Sequence, residues 1–585
     1  MRIRHTLLAA TMLALAAPAL AGPAEDFQKL QDDYWAALLK NSPTLASSVG
    51  VMTYDIQLDV LGLGEMDRQA AEAGTFLARL NAIPLQSLSP SEQANYLILK
   101  RTLDNAVEAN RFGHRQMLYS TLGSYHDFLA GMAENQPFRT VADYENYLKR
   151  IALVPERMQA YGEISAKAAR EGYTQPCVTL TRFPESIRGS IAADPTQSRF
   201  YSPFAGQRPS TVPEARWEAL KSQAAALIRD RINPSYEAFA RLYDTQLAAK
   251  CRKDVGISST PHGQEYYAFL VRNFTTTNLT PDQIHQIGLR EVAKLRADMD
   301  SVAKKASFAS REAMIADMRT NPKFFVTTPE ALLKETAIIT KTIDGKMPSL
   351  FTRLPRLPYG IRPMAAATAP GDTTARYQPG SPDAGIAGFY LVNTTKLDQR
   401  PLWEIPVLSV HEAVPGHHMQ IALQQELEMP AWRKNTTFFT VFVEGWGLYS
   451  ERLGTDLGLY DTPQKEMGRL SYQMWRATRL VVDTGIHSKG WTKERAVAFM
   501  KENTALTDAN IDAEVNRYIS NPGQALAYKI GQLKIEELRA RAEQQLGSKF
   551  DLRRFHDAVL GQGSVPLDTL EAQIDSWIAA EKTRT

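Results

Sequence analysis

Eight consecutive residues, His411-Glu412-Ala413-Val414-Pro415-Gly416-His417-His418, hold three of the chain's ten histidines and a carboxylate, directly after the apolar run 405–410. Imidazoles and a carboxylate gathered behind a buried segment are the donor set of a zinc site with its own proton acceptor. The standard arrangement is HExxH, in which two histidines four apart share a helical face and the adjoining glutamate acts as base. This segment departs from it. His411 and His417 are six apart, which turns them through about 600° on an unbroken helix, to nearly opposite sides. His418 shares the face of His411 but stands about 10 Å further along. Neither pair can hold one ion at about 2.0–2.1 Å per nitrogen on a regular helix. Proline lacks the N–H that would bond back to residue 411, and glycine admits backbone angles closed to other residues. Pro415-Gly416 therefore predicts a two-residue bulge that carries His417 to the second ligand position.

A catalytic zinc site takes three protein ligands and an open position for water. Glu444 is the candidate third ligand, because it ends an apolar run at Val443, where an unpaired carboxylate is expensive to bury. Glu404 competes for that place, and Glu451, seven residues beyond Glu444, reads better as a solvated or supporting carboxylate. Glu412 fits the base that takes a proton from zinc-bound water and passes it to a leaving amine, against the plainer role of a buried ion-pair partner. For His418 three roles stay open: bonding substrate, supporting a ligand, or replacing His417. Tyr528 can donate its hydroxyl to an oxyanion or serve only as a core tyrosine. Arg476, Arg479 and Arg517 can clamp a carboxylate or form structural ion pairs. Asp483 and His487, four apart on a helix, can bond each other or support the site from behind. Tyr390 lies in the strand-forming run 389–394, either an edge strand that accepts an extended peptide backbone or a short core strand.

The elements that carry these residues are mostly helices. Amphipathic patterns predict helices over 26–39, 91–107, 141–171, 466–483, 493–503, 523–546 and 567–582. Thr280-Pro281-Asp282-Gln283 has the form of a capped helix start, whose buried stripe includes Ile284, Val292, Leu295 and Met299, with His285 as a structural histidine. Residues 171–213, rich in Pro, Ser, Thr and Gly, read as a long loop or lid. No internal repeat stands out. With 585 residues, 44% hydrophobic and 22% charged, the chain has an ordinary globular composition. The basic Arg2 and Arg4, the apolar 7–17 and the small residues 19–21 read as a signal peptide over 1–21, which leaves 22–585 as one family-length domain of one or two lobes. The expected location is exported, periplasmic or secreted, with no membrane attachment after cleavage. The net charge of +3 includes Arg2 and Arg4, so nothing calls for nucleic acid as a partner. Cys177 and Cys251 are the only cysteines; a disulfide between them and two buried thiols are equally open.

The ordered set His411-Glu412-x-x-Pro415-Gly416-His417, Glu444-Gly445-Trp446, the stretch Arg479 to His487 and the stretch Asn521 to Gly531 resembles the bacterial family catalogued as domain of unknown function 885. The similarity runs through most of the chain after residue 21, with the site segment at 376–531. That family is similar to helical zincin-type zinc metallopeptidases. The resemblance implies a mostly α, large helical zincin-like fold with a deep cleft and a few short strands. It also implies one Zn2+ ion, His411, His417 and Glu444 as ligands, Glu412 as base and a short or unfolded peptide as substrate. Two other activities stay open: a zinc hydrolase of a non-peptide amide or ester, and a non-catalytic periplasmic protein that binds peptide or metal.

Overall fold

A computed structural model describes residues 22–120, 123–364, 369, 373–382 and 385–584; the signal-peptide reading of 1–21 lies outside the described residues. The described chain is mostly helical, with a few short strands. Thr280 accepts the Gln283 N–H while Gln283 returns the bond, and the helix Pro281–Lys305 begins at that box. The helices Pro23–Asn41, Pro90–Ala109 and Pro463–Lys489 start a little earlier than their apolar patterns alone indicate. Each opens on a proline, whose missing N–H costs nothing in the first turn. The stretch 171–213 is not a long loop. It is a chain of short turns that includes Cys177–Thr179, Phe183–Gly189 and Ser202–Ala205, pinned because Phe183, Phe200, Tyr201 and Phe204 are buried in an aromatic core with Tyr147, Trp217 and Tyr236. Cys177 and Cys251 form a disulfide across 74 residues.

One core joins N-terminal residues such as Phe27, Leu80 and Leu99 to Trp446, Ile535 and Leu570 near the other end of the chain. A second draws only on residues between Leu58 and Leu247. A third lies between the helices Pro281–Lys305 and Pro463–Lys489. Among the described residues no helix is long and apolar enough to cross a membrane.

A small three-stranded sheet matters most to the site. Gly388–Val392 lies at its centre, parallel to Tyr359–Pro363 on one side and antiparallel to Ala375–Gln378 on the other. Tyr390 is paired on both sides, with Ile361 and Tyr377, and is 1% exposed. Of the two readings open for the run 389–394, the core strand holds and the edge strand does not: Gly388–Val392 is paired on both sides, because the region before it supplies both neighbours. The outer strands of this sheet are Tyr359–Pro363 and Ala375–Gln378. One face of the sheet, through Ala375, Tyr390 and Val392, packs on Ile405, Leu408 and Ala413 of the histidine segment.

Candidate metal centre

The helix Ile405–Glu412 stops at the glutamate, the chain turns through 413–416 with a cis Val414–Pro415 bond, and a separate helix, His417–Glu426, begins. The expected bulge within one helix is corrected to a break between two. Proline and glycine are the reason, since neither supports a continuous helix there. The turn is tight: His418 N–H donates to Ala413 O at 3.0 Å, and a Cβ on Gly416 would lie 1.9 Å from His411 O. Only glycine fits that approach. The indole of Trp446 donates to Pro415 O at 2.8 Å and ties the turn to the helix Thr440–Asp456. Through this break the rings of His411 and His417 come to 4.7 Å between centroids, at 85° to each other.

Glu444 reaches the two rings from the helix Thr440–Asp456. Its Oε2 stands 3.6 Å from Nε2 of His411 and 3.6 Å from Nε2 of His417, and ligand atoms of all three residues lie within 4.8 Å of one another. The same oxygen is buried and makes no hydrogen bond. Two donors each about 2.0–2.2 Å from one tetrahedral ion stand about 3.3–3.6 Å apart. The spacing is thus too long for a good hydrogen bond and right for a shared cation. Side-chain exposures of 11% for His417 and 16% for Glu444 leave the trio open to solvent on one side.

A helix–helix contact sets where Glu444 stands. Gly445 faces Gly531 of the helix Leu526–Leu546 so closely that a Cβ on Gly445 would lie 2.6 Å from Gly531 Cα, and one on Gly531 would lie 1.9 Å from Val441 O. Tyr528, one turn before Gly531, is brought alongside Glu444 by this contact. Burial and then the Glu444 carboxylate push its phenol up, against the opposing pull of Arg517 and Arg479.

Behind the trio the polar atoms are bonded in series. His411 Nδ1 meets Glu451 Oε1 at 2.9 Å. Glu451 is fully buried, and takes Arg476 at 3.2 Å and the amide of Gln473 at 3.4 Å. Gln473 in turn accepts from the buried Lys529 at 3.0 Å, which pairs with Glu291 at 3.2 Å. Burial alone would push the His411 imidazole down, but the carboxylates of Glu444, Glu451 and Glu412 outweigh it and raise it to about 9. Burial likewise raises Glu444, yet the imidazoles of His417 and His411 hold its carboxyl well below the usual range. Three carboxylates thus gather around His411, which with His417 and Glu444 forms a group that could hold a cation.

Glu412 faces the sheet edge, where its Oε2 accepts the backbone N–H of Tyr377 at 2.7 Å. His418 points the same way. Its Nδ1 meets the Tyr377 hydroxyl at 3.0 Å and its ring lies 4.7 Å from that of Tyr359, while burial pushes it down to about 4. It therefore stands outside the trio that His417 completes. Glu404, also outside it, is pushed up by burial to about 7, against the pull of Arg400.

The arginines proposed as a carboxylate clamp are already engaged. Arg479 and Arg517 both grip Glu514, at 3.1 and 3.0 Å, and Arg476 grips Glu451; cations this deeply buried need acidic partners. Asp483 and His487 do not bond each other. Asp483 accepts from the Tyr267 hydroxyl at 2.6 Å and from Gly523 N–H at 3.1 Å, and His487 bridges Ile257 N–H and Tyr518 O at 3.0 Å each. Their helix turns both into the core, where groups from other elements offer better geometry than an i,i+4 neighbour. Tyr377 escaped the sequence reading because its contribution is a backbone N–H placed by strand register, which leaves no mark on residue type. Glu451 was legible only as a carboxylate in helical phase with Glu444.

Two solved structures resemble the whole chain. The "putative lipoprotein" from Colwellia psychrerythraea is 26% identical with a TM-score of 0.88, and the match covers 96% of this chain and 100% of that one. The "putative lipoprotein of unknown function" from Shewanella oneidensis is 20% identical with a TM-score of 0.72, over 94% and 99% of the two chains, and speaks to the fold alone. No curated protein matches. A family model described as bacterial protein of unknown function, DUF885, matches residues 43–574, and the chain belongs to that family.

Proposed function

We propose that this chain is an exported, zinc-dependent peptidase of zincin-like organisation that hydrolyses short or unfolded peptides in a cleft beside the small sheet. The observation that carries the reading is the buried, unbonded Glu444 oxygen set 3.6 Å from two imidazole nitrogens, with Glu412, held by the Tyr377 N–H, next to His411 in the chain. His411, His417 and Glu444 hold the ion. Zinc bound there supplies Lewis acidity toward a carbonyl and lowers the pKa of water toward neutrality. Glu412, oriented by the Tyr377 N–H, accepts the proton that the attacking water loses and delivers it to the departing nitrogen. Tyr528 offers its hydroxyl to the oxygen that gains negative charge. Ala375–Gln378, an outer strand of the sheet, is the candidate to take an extended substrate alongside it, the part that was one of two readings for the run 389–394. Export is supported by the basic and apolar leader of the sequence, by the Cys177–Cys251 disulfide and by the lipoprotein description of the Colwellia structure.

Metal analysis combined with digestion of a peptide library by wild type and Glu412→Gln tests this. The expected result is one zinc per chain in both proteins, with cleavage only by wild type. Equal cleavage by both removes Glu412 from the mechanism. Zinc in both with cleavage in neither replaces the enzyme with a binding protein.

A further inference from the structure

The His411 ring lies along the helix Thr440–Asp456 between two of its carboxylates. Nε2 stands 3.6 Å from Glu444 Oε2 and Nδ1 stands 2.9 Å from Glu451 Oε1, seven residues further on. Gly447 makes the room between them: a Cβ there would lie 2.8 Å from His411 Cε1 and 3.0 Å from Nε2. The ring thus rests on bare backbone, and the bond at Nδ1 decides how Nε2 is aimed, as the bond at the far nitrogen does for a histidine ligand in general. Whatever holds Glu451 in place therefore holds His411.

The two oxygens of Glu451 are held differently. Oε1 takes Arg476 at 3.2 Å besides His411. Oε2 takes the amide of Gln473 at 3.4 Å, a bond near the limit of useful length that lasts only if both ends are fixed. Gln473 is fixed from behind by Lys529, whose ammonium donates to its Oε1 at 3.0 Å. An ammonium has donors and no acceptor, so the amide oxygen must face Lys529 and the amide NH2 is turned to Glu451. Lys529 is 3% exposed and spends its other two donors on Gln532 Oε1 at 3.1 Å and Glu291 Oε2 at 3.2 Å. Three donors meet three acceptors, which satisfies a buried charge in full. The acceptors come from three helices, Pro281–Lys305, Pro463–Lys489 and Leu526–Leu546, so the anchor is fixed by the tertiary packing around it.

We propose that Lys529 is a positioning residue for the metal centre: by anchoring Gln473 it fixes the second oxygen of Glu451, and through Glu451 it aims Nε2 of His411 at the ion. This rests on the metal-binding part of the proposed function and not on peptide cleavage, since uptake of the ion is measurable whether or not a peptide is cut.

The test is a double-mutant cycle on the full-length, chelator-stripped protein, with zinc affinity read by chelator competition in wild type, Lys529→Met, Glu451→Gln and the double variant. Lys529→Met is expected to lower the affinity of wild type about 10-fold, the low end of the cost of losing an outer partner of a ligand. In the Glu451→Gln background, which no longer offers two equivalent acceptor oxygens to orient, the same substitution should change it less than about 2-fold. A merely structural role for Lys529 would lower affinity by the same factor in both backgrounds, because independent effects add. Should Lys529→Met fail to fold, Gln473→Leu carries the same cycle and leaves Lys529 two of its three acceptors. Equal losses in both backgrounds, or no loss from wild type, overturns the proposal while leaving the metal site standing. A wild type that takes up no zinc overturns the metal reading and this proposal with it. The expected coupling in a protein that cuts no peptide supports the proposal and sinks the peptidase reading alone.

Discussion

Replacing Gly531 by alanine tests whether the contact between two helices sets the metal site. On an isolated helix this change stabilises by about 1 kcal/mol, because alanine is the better helix former. Here the new Cβ would stand 1.9 Å from Val441 O, against an ordinary contact of at least 3.4 Å, and its neighbour is backbone that cannot rotate away. The helices Thr440–Asp456 and Leu526–Leu546 must then part by about 1.5 Å, the difference between those two distances. Overpacking of this kind costs about 1–3 kcal/mol, so the net effect on folding is a loss of up to about 2 kcal/mol. The effect on the metal is larger in proportion. Glu444 lies one turn after Val441 on the displaced helix, and a metal site tolerates errors of only about 0.2 Å in its ligand distances. A shift near 1.5 Å withdraws Glu444 as a ligand, and zinc affinity should fall at least 100-fold, as it should in Glu444→Gln. Urea denaturation gives the stability change, and titration of chelator-stripped protein with zinc gives the affinity. Wild-type zinc affinity together with a gain in stability would refute the reasoning.

Three further outcomes are expected. Glu451→Gln removes the charge behind His411 Nδ1 and should lower zinc affinity about 10- to 100-fold, the usual cost of losing such a partner; chelator competition reads it, and an unchanged affinity denies Glu451 that part. Glu514→Ala strands Arg479 and Arg517 without their shared carboxylate and should destabilise the fold by about 3–5 kcal/mol in denaturant melts, whereas a change below about 1 kcal/mol would return those arginines to the list of substrate ligands. His487 and His556 are pushed by burial down to about 3, so they stay neutral in the folded chain while the unfolded chain protonates below about pH 6.5. Their stabilisation is complete above that pH and is lost as pH falls toward about 3, at up to about 1.4 kcal/mol per pH unit for each. Melting temperatures measured from pH 7 to pH 4 should decline, and His487→Gln should flatten the decline; an unaltered slope removes His487 from it.

The local rules were legible in the residues themselves. Thr280 to Gln283 announced a capped helix and Gly547, with φ of 52°, ended another, whereas the starts at Pro23, Pro90 and Pro463 lay just ahead of the apolar patterns. Such signals act within a few residues, so a linear reading reaches them. The types at the candidate centre were legible for the same reason: two histidines, a glutamate beside them and a second glutamate at the end of an apolar run left few alternatives.

What tertiary structure decided was which groups meet. Pro415-Gly416 marked a disturbance, but whether it was a bulge or a break depended on Trp446 bonding Pro415 O from another helix. His418 was as good a donor as His417 until Tyr377 and Tyr359 drew it to the sheet. The arginines, open to clamping a carboxylate or to structural ion pairs, were claimed as ion pairs by Glu451 and Glu514, and the strand, open as edge or core, became a centre when Tyr359–Pro363 and Ala375–Gln378 flanked it. In each case the residue type set a capacity for bonding, and long-range packing chose the partner, because burial forces every polar group to find one wherever the fold supplies it. Sequence alone showed side chains of types able to hold a metal; only the approach of Gly445 to Gly531 determined that Glu444 stands before both histidines.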